Sequence, residues 1–96
     1  MSKLRVSRDA TADLDEIWLH IANRGGVEAQ RYINHLTGKF DIIASMPGVG
    51  RERNELKIGI RSHAVDDYIV YYRHKKGLAT ILHVVHGARD VTELFR

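Results

Sequence analysis

Ninety-six residues make one small domain, residues 1–96, with no room for a second, and a composition 44% hydrophobic and 28% charged with a single proline leaves no linker tract. The absence of cysteine excludes disulfides, a thiol nucleophile and cysteine-ligated zinc, and no run approaches the ~20 apolar residues of a membrane helix. The amino terminus lacks the apolar stretch of a signal peptide, so the expected location is cytoplasmic, while the net charge of +3 permits either nucleic acid or an acidic protein as partner.

In chain order, Leu4 and Val6 alternate with Arg5 and Ser7 as in a short strand. Asp9 stands where a helix N-cap is expected, and Leu14, Ile17, Trp18 and Ile21 follow at the spacing of a buried helical stripe, ended by Gly25-Gly26. A second stripe, Ala29, Tyr32, Ile33, Leu36, Phe40 and Ile43, predicts a helix over 27–45 that Pro47 terminates. Gly38 inside it costs about 1 kcal/mol relative to alanine, and close approach of a neighbouring backbone is one reason to accept that cost. After the polar loop PGVGRERNE, the runs KIGIRS, DYIVYYR and ATILHVV read as three strands with short connections. The first turn falls between His63 and Asp67, and HKKG forms the second, Gly77 being able to take positive φ. The expected fold is therefore α+β: an N-terminal strand, a helical hairpin, then a three-stranded antiparallel meander packed on that hairpin, with the first strand joining the sheet by a long crossover. The tail DVTELFR is too short to assign.

Strand alternation assigns Ile58, Ile60, Val70, Leu82 and Val84 to the helix-facing side, in one core with the stripes of both helices, Trp18 included. The opposite face then carries Ile69, Tyr71, Ile81 and Val85 beside Arg61, Arg73 and His83. That is too apolar for a solvated sheet, so either another chain covers it or the carboxy-terminal tail folds back over it. Residues His83 and His86, in HVVHGARD, lie three apart on a strand and so point to opposite faces, which argues against a shared metal or substrate unless a bulge at Val85 intervenes. No third ligand has recognisable spacing for a zinc site with His63, and neither metal nor cofactor is expected. His86 is read as a hydrogen-bonded structural residue facing the core or capping the chain's exit, with Gly87 allowing the bend. Arg89 is read either as half of a structural ion pair or as a contact to a target.

The helix DLDEIWLHIA, the segment AQRYINHLTGKFDIIASMPGVGR and the run from GIRS through DYIVYYR to ILHVVHGARD resemble the ParE toxins of the RelE/ParE superfamily over about Leu4 to Asp90. The most specific parts are P-x-x-G-R at Pro47, Gly50 and Arg51, G-x-R-S at Gly59 to Ser62, and HGARD. The resemblance implies the toxin of a toxin–antitoxin pair, wrapped by the carboxy-terminal segment of a ParD-like antitoxin. The outer-face residues Arg61, Ile69, Tyr71, Arg73, Ile81, His83 and Val85 are then its expected contacts. It also implies DNA gyrase as the target, or, if this chain follows the RelE relatives, messenger RNA on the ribosome. An inactive basic adaptor is the third possibility. Sequence-specific contact with nucleic acid is not expected.

The chemistry separates the first two. Cleavage through the RNA's own 2′-hydroxyl needs a base, cations around the phosphate and a group for the leaving oxygen. Lys57 and Arg61 match basic positions of the RelE pattern and Arg89 can be laid on its late arginine. Gly59 replaces a lysine, Ile69 an arginine, and Phe95 the tyrosine six residues after the late arginine. No catalytic residue is therefore assigned, and Lys57, Arg61, His86 and Arg89 are kept as candidate target contacts.

Overall fold

The computed structural model describes residues 3–95. Strand β1 (Lys3–Val6) leads into helices α1 (Arg8–Ala22) and α2 (Gly26–Ser45), and a 3₁₀ turn at Pro47–Val49 precedes the two-residue strand β2 (Arg51–Glu52). Then follow β3 (Ile60–Val65), β4 (Tyr68–Lys75), β5 (Leu78–His86) and a final 3₁₀ turn at Thr92–Phe95. The sheet order is β1-β5-β4-β3-β2, antiparallel except that β1 lies parallel to β5. The expected architecture holds, with β2 as an added edge strand inside what reads as a polar loop.

Ser7, not Asp9, caps α1: its hydroxyl accepts the Ala10 N–H at 3.0 Å and donates to the Leu82 carbonyl at 3.0 Å. This double use arises because β1 ends at Val6, opposite Ile81, and leaves the rest of the β5 edge unpaired. Past that point Ser7 satisfies the Leu82 carbonyl, and Asp13 of α1 accepts the Val84 N–H at 3.0 Å. Side chains from a helix thus complete a ladder that has run out of strand.

Ile17, Leu36, Phe40 and Ile43 from the helices pack with Val65, Val70, Tyr72, Ile81 and Val84 from the sheet, and Leu14, Ile21 and Ile33 pack against this core from its margin. Trp18 does not join it. The indole is half-buried, its Cζ2 3.9 Å from where a Gly26 Cβ would stand, so it lies against the turn between the helices. Gly38 has no close neighbour, and the structure gives its cost no packing reason.

A bulge in β5 changes the expected faces. Tyr71 stands opposite His83 but Tyr72 stands opposite Ile81, so Leu82 is an extra residue and the alternation resets around it. Ile81, expected on the outer face, is fully buried in the helix-side core, and Leu82 instead packs on the outer side. The assignment of β3 is also inverted: Ile60 belongs to the outer cluster, Arg61 stands opposite the inward Tyr72, and Ile58 lies before the strand, 86% exposed. The β3–β4 turn is tighter than expected, at Asp66-Asp67, and Lys76-Gly77, both at positive φ, form the second turn as a type I′ pair would.

Candidate functional site on the outer sheet face

The outer face is covered by the protein's own tail over part of its area. Val91 and Phe95 are buried with Ile60, Tyr71 and Val85, while Leu94, Leu56, Ile69 and Leu82 pack at the margin. The Phe95 ring lies 5.2 Å from Tyr71 and meets His83 edge-on at 5.7 Å. Of the two ways to cover this patch within one chain or with another, the structure supplies the first. The fold-back is held by hydrogen bonds: Gly87 N–H to the Asp67 carbonyl at 2.8 Å, Ala88 N–H to His86 Nδ1 at 3.1 Å, and Arg89 N–H to the His86 carbonyl at 3.0 Å. Gly87 bends there without adopting positive φ. Asp90 caps the last turn through the Thr92 N–H and hydroxyl, which hold its carboxyl below the usual aspartate range. The charged cap is present above the unfolded aspartate value and is lost as pH falls through the lowered folded one.

Beside the tail, Lys57, Arg73 and His83 line a depression of about 200 Å³ floored by Ile60, Leu82 and Phe95. His83 is positioned from α1: its Nδ1 lies 2.9 Å from the Asp13 carboxylate, and its Nε2 is 3.8 Å from Asp9. Arg53 also reaches this face, its guanidinium 5.7 Å from the Tyr71 ring centre and bonded to Ser62 Oγ at 3.3 Å. Its 2.7 Å contact to Glu55 raises the pKa of the arginine and lowers that of the carboxyl.

The proposed target contacts are not brought together. Arg61 leaves the outer face and instead bonds the Gly50 carbonyl at 2.8 Å and Glu52 at 3.2 Å. His86 and Arg89 share a shallow groove with Asp13, Glu16 and His20 of α1, on the other side from Lys57. The His86 ring stands edge-on to Tyr68 at 5.8 Å and its Nδ1 accepts the Ala88 N–H at the chain's exit, while the residue remains solvent-exposed. His83 and His86 do face opposite sides, because the bulge lies upstream of both. No group of three or more metal-ligating side chains occurs among the described residues. Sequence reasoning missed Asp13 as the residue that orients His83. Read as an acid near a helix start, it carries no signal that it reaches the β5 edge.

Near the helix connection, Tyr32 bonds Asp66 at 3.1 Å, and burial together with that carboxylate raises the pKa of its phenol. The same carboxylate takes His35 at 3.1 Å. This cluster ties α2 to the β3–β4 turn.

A helical hairpin on a mostly antiparallel sheet is also the fold of solved ParDE and RelBE toxin–antitoxin structures. The solved structure of a chromosomal ParDE toxin–antitoxin system from P. aeruginosa superposes with a TM-score of 0.79 over 90% of this chain and 96% of that one, at 22% identity. The toxin–antitoxin complex RelBE2 from Mycobacterium tuberculosis gives 0.68 over 88% and 96%, also at 22% identity. The chain belongs to the ParE toxin family of type II toxin–antitoxin systems, whose family model matches residues 4–91. Toxin ParE1 of Caulobacter vibrioides is 40% identical over 74 residues, 76% of this chain and 77% of that protein. Toxin ParE1 of Mycobacterium tuberculosis is 32% identical over 92 residues, 94% of each. No helix among the described residues is long and apolar enough to cross a membrane.

Proposed function

We propose that this ParE-family chain inhibits DNA gyrase without cleaving RNA, acting in the cytoplasm, and that a ParD-like antitoxin neutralises it. The observation that carries this reading is what occupies the outer face. Phe95, in the place of the tyrosine of the RelE pattern, is 8% exposed and packed on Tyr71 and His83, and Ile69, in the place of an arginine, packs against the same cluster. Each lost transition-state contact typically lowers rate by ~10² to 10³, whereas inhibition by binding needs no proton-transfer group. Purified toxin is expected to inhibit supercoiling by gyrase and to leave ribosome-bound messenger RNA intact in primer-extension assays. Cleavage at codon positions that disappears in His83→Ala or Arg89→Ala, with gyrase fully active, refutes the proposal.

One observation favours the ribonuclease reading. Lys57 and Arg73 converge with His83 on a single depression, and Asp13 orients the imidazole as a carboxylate orients a general base. The same pair of assays decides between the two.

For the antitoxin, the contacts left on the outer face are Ile69, Tyr71, Arg73, His83 and Val85, since Ile81 and Arg61 are on the other side. Tyr71 and Val85 are 3% and 4% exposed beneath the tail, so a seat there requires the antitoxin to displace residues 91–95 and bury the uncovered apolar area, worth roughly 25 cal/mol per Å². Hydrogen–deuterium exchange of the complex should then show faster exchange in the tail and slower exchange in β4 and β5. A protected tail, with the footprint instead along the exposed Leu19 and Val27 of the helical hairpin, moves the seat off the sheet.

A further inference from the structure

The outer face continues past the tail toward β1 and the β4–β5 turn, where its character changes. Register places Lys3 and Lys75 on either side of Leu78, and Arg5 and Arg73 on either side of Thr80. Directly paired residues share a face, so these form two parallel rows, each with a cation on the two outer strands and a neutral residue between. With strands about 4.8 Å apart and residues about 3.3 Å apart along them, the rows are roughly 7 Å apart and the cations within a row roughly 10 Å apart. Lys76, at the turn, extends the first row, and all five cations line one open depression of about 420 Å³ that no carboxylate of the described residues lines. All five are exposed, and none makes an ion pair among the described residues.

We infer that this basic lattice binds the phosphate backbone of duplex nucleic acid. Five like charges held on a rigid sheet without internal neutralisation repel one another, and condensed counterions released from a polyanion supply the compensating free energy. A row spacing of roughly 7 Å matches about two nucleotide steps at 3.4 Å of rise per strand. An acidic protein fits less well. Tight protein interfaces centre on buried aromatic or apolar anchors, and Leu78, itself half-buried, is the one apolar side chain among the described residues that line the depression. Single strands need aromatic platforms for their bases, and no aromatic side chain among the described residues lines it. Contacts confined to phosphates carry no sequence information, so the binding is independent of sequence. The inference does not depend on gyrase being the target.

The test is fluorescence anisotropy of a labelled random-sequence duplex with the full-length protein between 50 and 200 mM salt. Binding is expected at low salt, weakening steeply as salt rises. Arg5→Glu with Lys75→Glu, both at exposed positions, should lower affinity at least tenfold and reduce the log–log salt slope by about two, at roughly 0.9 per phosphate contact. Arg31→Glu, an exposed cation on α2, should change neither. Thermal melts of all variants confirm that the fold is kept. No duplex binding at 50 mM salt, equal losses in the Arg31 variant, or binding of a polyglutamate peptide in place of the duplex each overturns the inference.

Discussion

Phe40→Ala is expected to cost about 3–5 kcal/mol of stability. The ring is 1% exposed, on the face of α2 that meets the sheet, in the cluster holding Leu36, Ile43, Tyr72 and Ile81. Its removal forfeits the transfer free energy of the ring and leaves a cavity that helices tied to the sheet by side-chain hydrogen bonds close only in part. Ser7 and Asp13 fix the neighbouring α1 to β5, and Tyr32 and His35 fix α2 to Asp66. Against the ~5–15 kcal/mol of a typical domain the loss is severe. At about 4–8 °C per kcal/mol for a chain of this size, the melting temperature should fall by roughly 12–40 °C. Trp18→Ala should cost distinctly less, since the indole is half-buried and outside this cluster. Calorimetric melts giving equal losses for the two variants would mean that the helix faces have been misassigned.

The contrast between Phe40 and Trp18 shows where sequence patterning informs and where it stops. Helical periodicity located α2 to within a residue and α1 to within about two at each end, because the stripes are long and each buried position is reinforced three and four residues away. It could not rank residues within a stripe, and Trp18 falls at the stripe's margin by the angle at which the helix meets the sheet. Strand alternation has no such redundancy. One extra residue at Leu82 exchanged the faces of Ile81 and Leu82, and the β3–β4 register, which sets Arg61 opposite the inward Tyr72, carried Arg61 away from the patch to which alternation had assigned it. The tail was illegible for another reason. Val91, Leu94 and Phe95 stand at i, i+3 and i+4, but seven residues are too few to establish a period, and only the apolar surplus on the outer face indicated that something had to cover it. Asp13 and the two rows of cations depend on β1 lying parallel to β5, a pairing between segments more than seventy residues apart that local pattern does not encode.

Tyr72→Phe should destabilise the protein by about 1–3 kcal/mol although it removes a single oxygen. The fully buried hydroxyl donates to the Pro47 carbonyl at 2.6 Å and accepts the Gly50 N–H at 2.9 Å. Burial raises the pKa of the phenol, which remains protonated and able to do both. Phenylalanine leaves both backbone groups without this partner at the point where α2 hands the chain to the sheet. The motif glycine at position 50 is needed there for space, not for conformation: its φ of −82° suits any residue, but an added Cβ would clash first with the Tyr72 hydroxyl and lie 2.7 Å from Tyr72 Cε1 and 2.8 Å from the Ser62 carbonyl. Arg61 holds the Gly50 carbonyl from the other side at 2.8 Å, so the segment cannot retreat without breaking a second contact. Gly50→Ala should therefore cost at least as much as Tyr72→Phe. Combining them should not restore stability, because phenylalanine keeps Cε1 and the backbone oxygen does not move. Urea denaturation of the two single variants and the double variant measures this coupling. A double variant as stable as Tyr72→Phe alone would show that the hydroxyl was the whole obstruction and that the Ser62 backbone yields.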